Sequence, residues 1–166
     1  IAFRKVKYVF FENKENAREF GERNIVSADR QVVLPGAGIN LEKYKMEPYP
    51  NHSCVHFLYL GRIMKEKGIE ELFYAVRRLK EENEDFVLDL AGFFEDIYKK
   101  QVEELEQLGT AHFYGFQSDP RPFYTEADCV VLPSYHEGMS NVLLEAAATG
   151  RPVITSNIPG RRESGE

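Results

Sequence analysis

Residues 54–92 read CVHFLYLGRIMKEKGIEELFYAVRRLKEENEDFVLDLAG, and the architecture of the chain is visible in this stretch. An apolar strand-like run leads through a basic loop into an amphipathic helix, and a second apolar strand follows. This order predicts two parallel strands joined by a crossover helix. The apolar face of the helix is predicted to hold Ile69, Leu72, Phe73, Val76 and Leu79.

Strands and helices continue to alternate along the rest of the chain. Further strands are predicted at 111–116, 128–134 and 151–156, and further helices at 97–109, 119–127 and 140–150. In the helix at 97–109 we expect four residues to face inward: Ile97, Val102, Leu105 and Leu108. Upstream, a strand at 6–11 precedes a helix that Asn13 caps, and Asp119 is expected to cap the helix at 119–127. The alternation predicts an α/β fold with a doubly wound parallel sheet.

Length, composition and net charge limit which classes of protein the chain can belong to. With 166 residues the chain is long enough for one good core and too short for two full-size domains. The net charge of -6 disfavours non-specific binding of nucleic acid, which needs clustered Lys and Arg. Cys54 and Cys129 lie in apolar runs and are interpreted as small core residues in a reducing compartment. No run of about 20 apolar residues is present.

Ligands of doubly wound sheets bind outside the carboxyl ends of the strands, so the loops there are the candidate site. They are Gly61–Gly68, Gly92–Asp96, Gly115–Asp119 and Ser134–Ser140. The first loop places Arg62, Lys65 and Lys67 between two glycines. Cations at a strand end suit a diphosphate, and a solvated turn is the alternative.

The loop HEGMSN (136–141) leads into the helix at 140–150. Gly138 permits the turn, and the amides of Met139, Ser140 and Asn141 are expected at the helix start, where free N–H groups attract anions. Ser140 or Asn141 also serves as a simple helix cap, and the two roles are compatible.

Two carboxylates flank this helix start. Glu145 lies within VLLEAAAT, where its desolvation must be offset either by protein donors or by a polar ligand. Glu137 is either a surface residue or a second ligand group, and paired carboxylates are also the equipment of glycoside hydrolases. The four histidines lack metal-ligand spacing, and neither a G-x-x-x-x-G-K-[ST] nor a G-x-G-x-x-G motif is present. LPGAGIN (34–40) is interpreted as a turn.

Together these segments resemble the C-terminal, donor-binding half of GT-B-fold retaining glycosyltransferases of the bacterial capsule and lipopolysaccharide type, the glycosyl transferases group 1. The resemblance follows the family's order over about residues 31–163. Its elements are LPGAGINLEKY, YLGRIMKEKGIEELFYA, LDLAG, FYGF, FYTEADCVVLPSYHEGMSNVLLEAAATGRPVI and IPGRRE. The most specific is the E-x7-E pair, Glu137 and Glu145, with GR…KEKG upstream.

The resemblance implies a role for each matching residue. Arg62 and Lys67 match the basic pair that grips the departing diphosphate, and Glu137 matches the Glu that contacts donor-sugar hydroxyls. Glu145 matches the Glu that binds the ribose hydroxyls. Three further groups match donor-binding turns. The turn that binds phosphate and sugar corresponds to Gly138, Met139, Ser140 and Asn141, and the loop that lines the base corresponds to Gly115, Phe116 and Gln117. The turn between the two domains corresponds to the segment with Gly36 and Gly38.

The same resemblance implies transfer of a sugar, with retention, from a nucleotide-diphosphate sugar, most simply a UDP-sugar, to a glycan or lipid-linked acceptor. It implies no metal and no cofactor, a cytoplasmic location at the inner face of the membrane, and membrane contact only through the full-length protein. Residues 1–30 match the end of the N-terminal acceptor domain or a linker, and 31–166 a truncated donor domain; we interpret the chain as a fragment that is inactive alone.

Three other classes remain open. A non-catalytic nucleotide-sugar binding module would share the pocket. So would another GT-B enzyme, such as a sugar-nucleotide epimerase or a phosphorylase, although no pyridoxal-binding lysine can be placed. A glycoside hydrolase fits worst, because a carboxylate pair does not explain GRIMKEKG.

Overall fold

The computed structural model describes residues 2–34, 38–95, 97–137 and 140–157. The chain divides into two compact units. The first comprises Ile1–Ile39, His136–Asn141 and Asn157–Glu166, and the second comprises Asn40–Tyr135 and Val142–Ser156. The strand at 31–33 pairs with the strand at 9–11 within the first unit.

The first unit contains a small parallel sheet. Strand β1 (Val9–Phe11) and strand β2 (Gln31–Val33) pair in parallel, and helix α1 (Lys14–Glu22) connects them along the chain. The predicted cap is confirmed: the Asn13 side chain accepts a hydrogen bond of 2.8 Å from the Asn16 amide. Phe11, Ala17 and Val26 are buried there.

The second unit is built on a five-stranded parallel sheet, which confirms the predicted fold class. Its strands are β3 (Val55–Leu60), β4 (Phe86–Ala91), β5 (Ala111–Phe113), β6 (Cys129–Leu132) and β7 (Val153–Thr155). The helices are α2 (Ile69–Glu81), α3 (Lys99–Gln107), α4 (Arg121–Glu126) and α5 (Asn141–Thr149). In the strand order β5-β4-β3-β6-β7, the chain starts at the central strand β3, adds β4 and β5 on one side, and then adds β6 and β7 on the other. The strand order therefore changes sides between β3 and β6, while all five strands remain parallel.

Apolar cores form on both faces of this sheet, as a doubly wound fold requires. On one face α2 and α3 bury residues such as Phe73 and Leu105 beneath Tyr59. On the other face Tyr124 of α4 and Ala146 of α5 pack against Leu58 and Leu60. The predicted face of α2 is confirmed, since Ile69, Leu72, Phe73 and Val76 are buried and Leu79 packs against the same core.

Two predicted core positions of α3 are wrong. Ile97 is 95% exposed and Leu108 is 50% exposed, whereas Tyr98 is buried. The helix begins only at Lys99 and ends at Gln107, so Ile97 and Leu108 lie outside it, and helical periodicity does not place their side chains.

Smaller corrections concern the cap of α4 and the cysteines. Pro120 is the N-cap of α4; Asp119 precedes it and accepts from the Arg121 amide at 3.2 Å. Cys54 and Cys129 are free and half-buried, rather than fully inside the core. In the part of the chain that the structure describes, no helix has the length and apolar character to span a bilayer.

Candidate functional site

The floor of the candidate site is a row of glycines at the carboxyl ends of three neighbouring strands. The Gly61 amide donates to the Ala91 carbonyl at 3.0 Å, and the Gly92 amide donates to the Gly115 carbonyl at 2.8 Å. Gly92 has φ +156°, and a Cβ there would lie 1.8 Å from the Gly61 carbonyl oxygen. Glycine is therefore required at Gly92, because any side chain would force the ends of β3 and β4 apart.

A cavity of about 200 Å³ opens above this floor, beside the switch point between β3 and β6, where the strand order changes sides. Most of its lining is apolar, with a cation, a carboxylate and an amide among the side chains. The described lining residues are Leu60, Gly61, Arg62, Ala91, Gly92, Phe93, Phe116, Gln117, Pro120, Tyr124, Val142 and Glu145. An apolar cavity with a few convergent polar groups at this position is the usual ligand site of such sheets.

Glu145 lies on α5 and is half-buried. The buried Tyr124 hydroxyl donates to Oε2 of Glu145 at 2.8 Å, and the Tyr44 ring packs edge to face against Tyr124, with centroids 6.1 Å apart. Burial, followed by the effect of Glu145, raises the pKa of Tyr44 to about 12 and raises the pKa of Tyr124 well above its ordinary value. A protein donor thus satisfies part of the carboxylate, while the residue itself lines the cavity.

Arg62 is the cation of the cavity lining, and it carries an ion pair. Its Nη1 donates to both carboxylate oxygens of Glu95, at 3.2 Å and 3.0 Å. Both side chains are partly exposed to solvent, so this ion pair contributes little to stability. Arg62 can therefore bind another anion in place of Glu95. The Arg62 backbone is held more firmly, because its carbonyl accepts from the buried Tyr59 hydroxyl at 2.6 Å.

Lys67 ends a 3-10 turn at Lys65–Lys67 and is not among the described residues that line the cavity. The turn is pressed against the end of β6: Gly68 has φ +69°, and a Cβ there would lie 2.2 Å from the Pro133 carbonyl oxygen. Glycine is therefore required at Gly68, because the backbone of Pro133 approaches it closely. The Tyr135 amide donates to the Glu66 carbonyl at 2.9 Å, which ties the turn to the loop after β6.

Other predicted site residues are placed less completely. The predicted start of α5 is confirmed at Asn141, which the buried Ser140 precedes. Glu137 is half-buried, and it belongs to the first compact unit together with Ser140 and Asn141. Gly36, Gly138 and Met139 lie outside the described residues.

Both described glycines among the predicted donor-binding turns adopt left-handed conformations. Gly38 has φ +70° and Gly115 has φ +67°. Of the loop at Gly115, Phe116 and Gln117, the last two line the cavity. The structure thus brings Arg62, Phe116, Gln117 and Glu145 to one cavity.

Three residues near the cavity were missed by sequence reasoning: Tyr44, Tyr124 and Arg151. Arg151 is only 3% exposed and donates to the carbonyls of Tyr124, Thr125, Glu47 and Pro48, at 2.7–3.3 Å. The sequence placed Arg151 only at the start of the predicted strand at 151–156. Nothing in the local pattern connects it with segments about 26 and 104 positions away.

Comparison with known proteins places these features in a family. The family model described as glycosyl transferases group 1 matches residues 49–164. The capsular polysaccharide biosynthesis glycosyltransferase CapM of Staphylococcus aureus is 30% identical over 160 residues, which cover 90% of this chain and 39% of CapM. The lipopolysaccharide core biosynthesis glycosyltransferase LpsE of Rhizobium meliloti is 37% identical over 148 residues, covering 88% of this chain and 42% of LpsE.

A solved structure extends the likeness to the fold. Anabaena HepE in complex with UDP-glucose superimposes with a TM-score of 0.82 at 20% identity, over 99% of this chain and 49% of HepE. At that identity the likeness concerns the fold alone, and it confirms the expected Rossmann-like half of a GT-B glycosyltransferase. The chain spans less than half the length of each of these proteins.

Proposed function

This chain belongs to the glycosyl transferases group 1 family, and we propose that it is the part of such an enzyme that binds a nucleotide-sugar donor. The observation that carries the proposal is the convergence of Arg62, Phe116, Gln117 and Glu145 on one cavity at the carboxyl ends of the strands. A cation, exposed aromatic surface and a carboxylate are what a diphosphate, a nucleobase and a ribose respectively require.

The cavity divides into an aromatic part and a polar part. Phe93 and Phe116 have ring centroids 6.5 Å apart and are 45% and 70% exposed, so both offer apolar surface to a planar base. Glu145 accepts hydrogen bonds from the ribose hydroxyls. At about 200 Å³ the cavity is small beside typical ligand pockets of about 300–1,000 Å³, and it suits the nucleoside rather than the whole donor. We take UDP as the nucleotide, since the structurally similar HepE is in complex with UDP-glucose.

The chemical step we propose is transfer with retention of a hexosyl or N-acetylhexosaminyl group. The bond from the anomeric carbon to the diphosphate breaks, the acceptor hydroxyl attacks from the same face, and the leaving phosphate accepts its proton. Arg62 and Lys67 stabilise the charge that develops on the leaving diphosphate, and Glu137 contacts the donor sugar. The proposal requires no metal and no cofactor besides the donor. Among the described residues no group of three His, Cys, Asp or Glu is arranged to hold a metal ion.

For the whole protein we propose a role in cell-surface polysaccharide synthesis, as the names of CapM and LpsE suggest. The acceptor is a glycan or a lipid-linked glycan bound by an N-terminal domain, and residues 1–30 are the end of that domain or a linker. The location is cytoplasmic, peripheral at the inner face of the membrane, and nucleic acid is not a partner.

Thermal unfolding with UDP, GDP and ADP tests the donor-binding role. A ligand that binds only the folded state stabilises it by about 2.7 kcal/mol at a concentration of 100 times its Kd. We expect UDP to raise the melting temperature. The Glu145→Gln variant should bind UDP more weakly by about 1–3 kcal/mol, since a charge-assisted hydrogen bond is lost.

The control for this experiment is Glu81→Gln on α2, because Glu81 is 73% exposed and lies outside the cavity lining. It should bind UDP like the wild type. A melting temperature that none of the three nucleotides raises contradicts the proposed function. Unchanged UDP affinity in a folded Glu145→Gln variant contradicts the ribose role.

A further inference from the structure

The carboxylate of Glu145 is held by residues from two distant parts of the second compact unit. Tyr124 of α4 donates to its Oε2 at 2.8 Å, and Tyr44, in the turn that begins at Asn40, lies near enough for the carboxylate to contribute to its raised pKa. The two tyrosine rings also contact each other edge to face, with centroids 6.1 Å apart. The three side chains therefore form one connected cluster at the wall of the cavity.

This cluster is fixed from behind. Tyr124 is fully buried in the core formed by Leu58, Leu60 and Ala146, so its ring has no freedom to move. The backbone of Tyr124 is held as well, because the buried Arg151 donates from Nε to its carbonyl at 2.7 Å. Tyr44 packs against the same core, and its own turn is closed by a hydrogen bond of 3.0 Å from its amide to the Asn40 carbonyl.

An ionised carboxylate accepts hydrogen bonds at about four lone-pair positions. Tyr124 uses one of them and, with the Tyr44 ring packed against it, restricts the rotation of the carboxylate. The remaining positions are available to a ligand in the cavity that Glu145 lines. We propose that Tyr44 and Tyr124 are positioning residues, which orient Glu145 so that it accepts from both hydroxyls of a ribose diol. This inference rests on the proposed function of the cavity.

The positioning pair holds its protonation state across the physiological range. Burial is the main cause that raises the pKa of both hydroxyls, to about 12 for Tyr44, and the neighbouring carboxylate adds to it. Both hydroxyls are therefore protonated at neutral pH, and Tyr124 is a donor to Glu145 there. A carboxylate held in this way reduces the ordering that a ligand must otherwise impose, and this preorganisation favours binding.

The test compares two nucleotides in three variants. Affinities for UDP and for 2′,3′-dideoxy-UDP are measured calorimetrically in the wild type, Tyr44→Phe and Tyr124→Phe. Each substitution removes one hydroxyl and keeps the ring. We expect each variant to lower the preference for UDP over the dideoxy nucleotide by about three- to tenfold, because a loosened carboxylate loses hydrogen bonds only to the ribose hydroxyls.

Tyr114→Phe is the matched control. Its hydroxyl also donates to a carboxylate, Asp89 Oδ1 at 3.0 Å, and burial raises the pKa of Tyr114 to about 12, but it does not line the cavity. It should leave the preference unchanged.

The outcomes separate the two proposals. A wild type that prefers UDP, combined with Tyr→Phe variants that keep the full preference, overturns the positioning role and leaves the proposed function standing. If the variants bind both nucleotides equally more weakly, the tyrosines only support the fold, and this result also overturns the positioning role. A wild type that binds neither UDP, GDP nor ADP overturns the proposed function itself.

Discussion

Replacing Gly92 with alanine should destabilise the protein by more than the cost of placing alanine at a positive φ. The new Cβ would lie 1.8 Å from the Gly61 carbonyl oxygen, and real Cβ atoms stay at least 3.0 Å from such an atom. The ends of β3 and β4 must therefore separate, which also disturbs the 2.8 Å hydrogen bond from the Gly92 amide to the Gly115 carbonyl. These groups form the floor of the cavity, so the change should affect both stability and nucleotide binding.

The expected loss combines three contributions. Overpacking costs about 1–3 kcal/mol, the unusual φ of +156° about 1–3 kcal/mol, and the disturbed hydrogen bond about 1 kcal/mol. We expect Gly92→Ala to lower the free energy of unfolding by about 3–7 kcal/mol in urea denaturation. UDP affinity, measured in the fraction that remains folded, should fall as well.

Gly109→Ala is the control for the backbone strain. Gly109 also has positive φ, +67°, but a Cβ there meets nothing within 4 Å. Its loss should be limited to the left-handed conformation, about 1–2 kcal/mol. If Gly92→Ala costs no more than Gly109→Ala, the close approach of the two strand ends is not what requires glycine, and the reasoning is refuted.

Three further predictions follow from the described contacts. Arg151→Met should cost about 3–5 kcal/mol of unfolding free energy, because it leaves the buried Tyr124 carbonyl and the part-buried Pro48 carbonyl without their donor. Arg78→Met, at an exposed ion pair, should cost less than about 1 kcal/mol in the same urea titration. Glu95→Gln should tighten UDP binding about two- to fivefold by releasing Arg62, and weaker binding would show that the pair supports the site. Stability should fall as pH rises above about 10, the unfolded tyrosine pKa, and level off above the raised folded values. Tyr44→Phe should flatten this alkaline decline, and an identical pH profile would contradict the role of its hydroxyl.

The amino-acid sequence by itself determined the order of elements and the parallel sheet, because these follow from local periodicity. The apolar spacing of α2 identified its buried face, and Asn13 marked the start of α1. Periodicity failed at Ile97 and Leu108, where the helix it assumed does not extend. The candidate loops at the strand ends were also predictable, since every parallel strand delivers its carboxyl end to the same edge of the sheet.

Only the tertiary structure decided what surrounds Glu145. The sequence showed a carboxylate in an apolar helix and left open whether protein or ligand would satisfy it. In the folded chain Tyr124 lies 21 positions away and its hydroxyl reaches the carboxylate, while Tyr44, from a different segment, packs against the Tyr124 ring. Such partners have no local pattern, because their meeting depends on how α4, α5 and the turn at 40–44 pack on one face of the sheet. A hydrogen bond satisfies the buried side of Glu145 while the residue lines the cavity, and that arrangement arises only when the chain is folded.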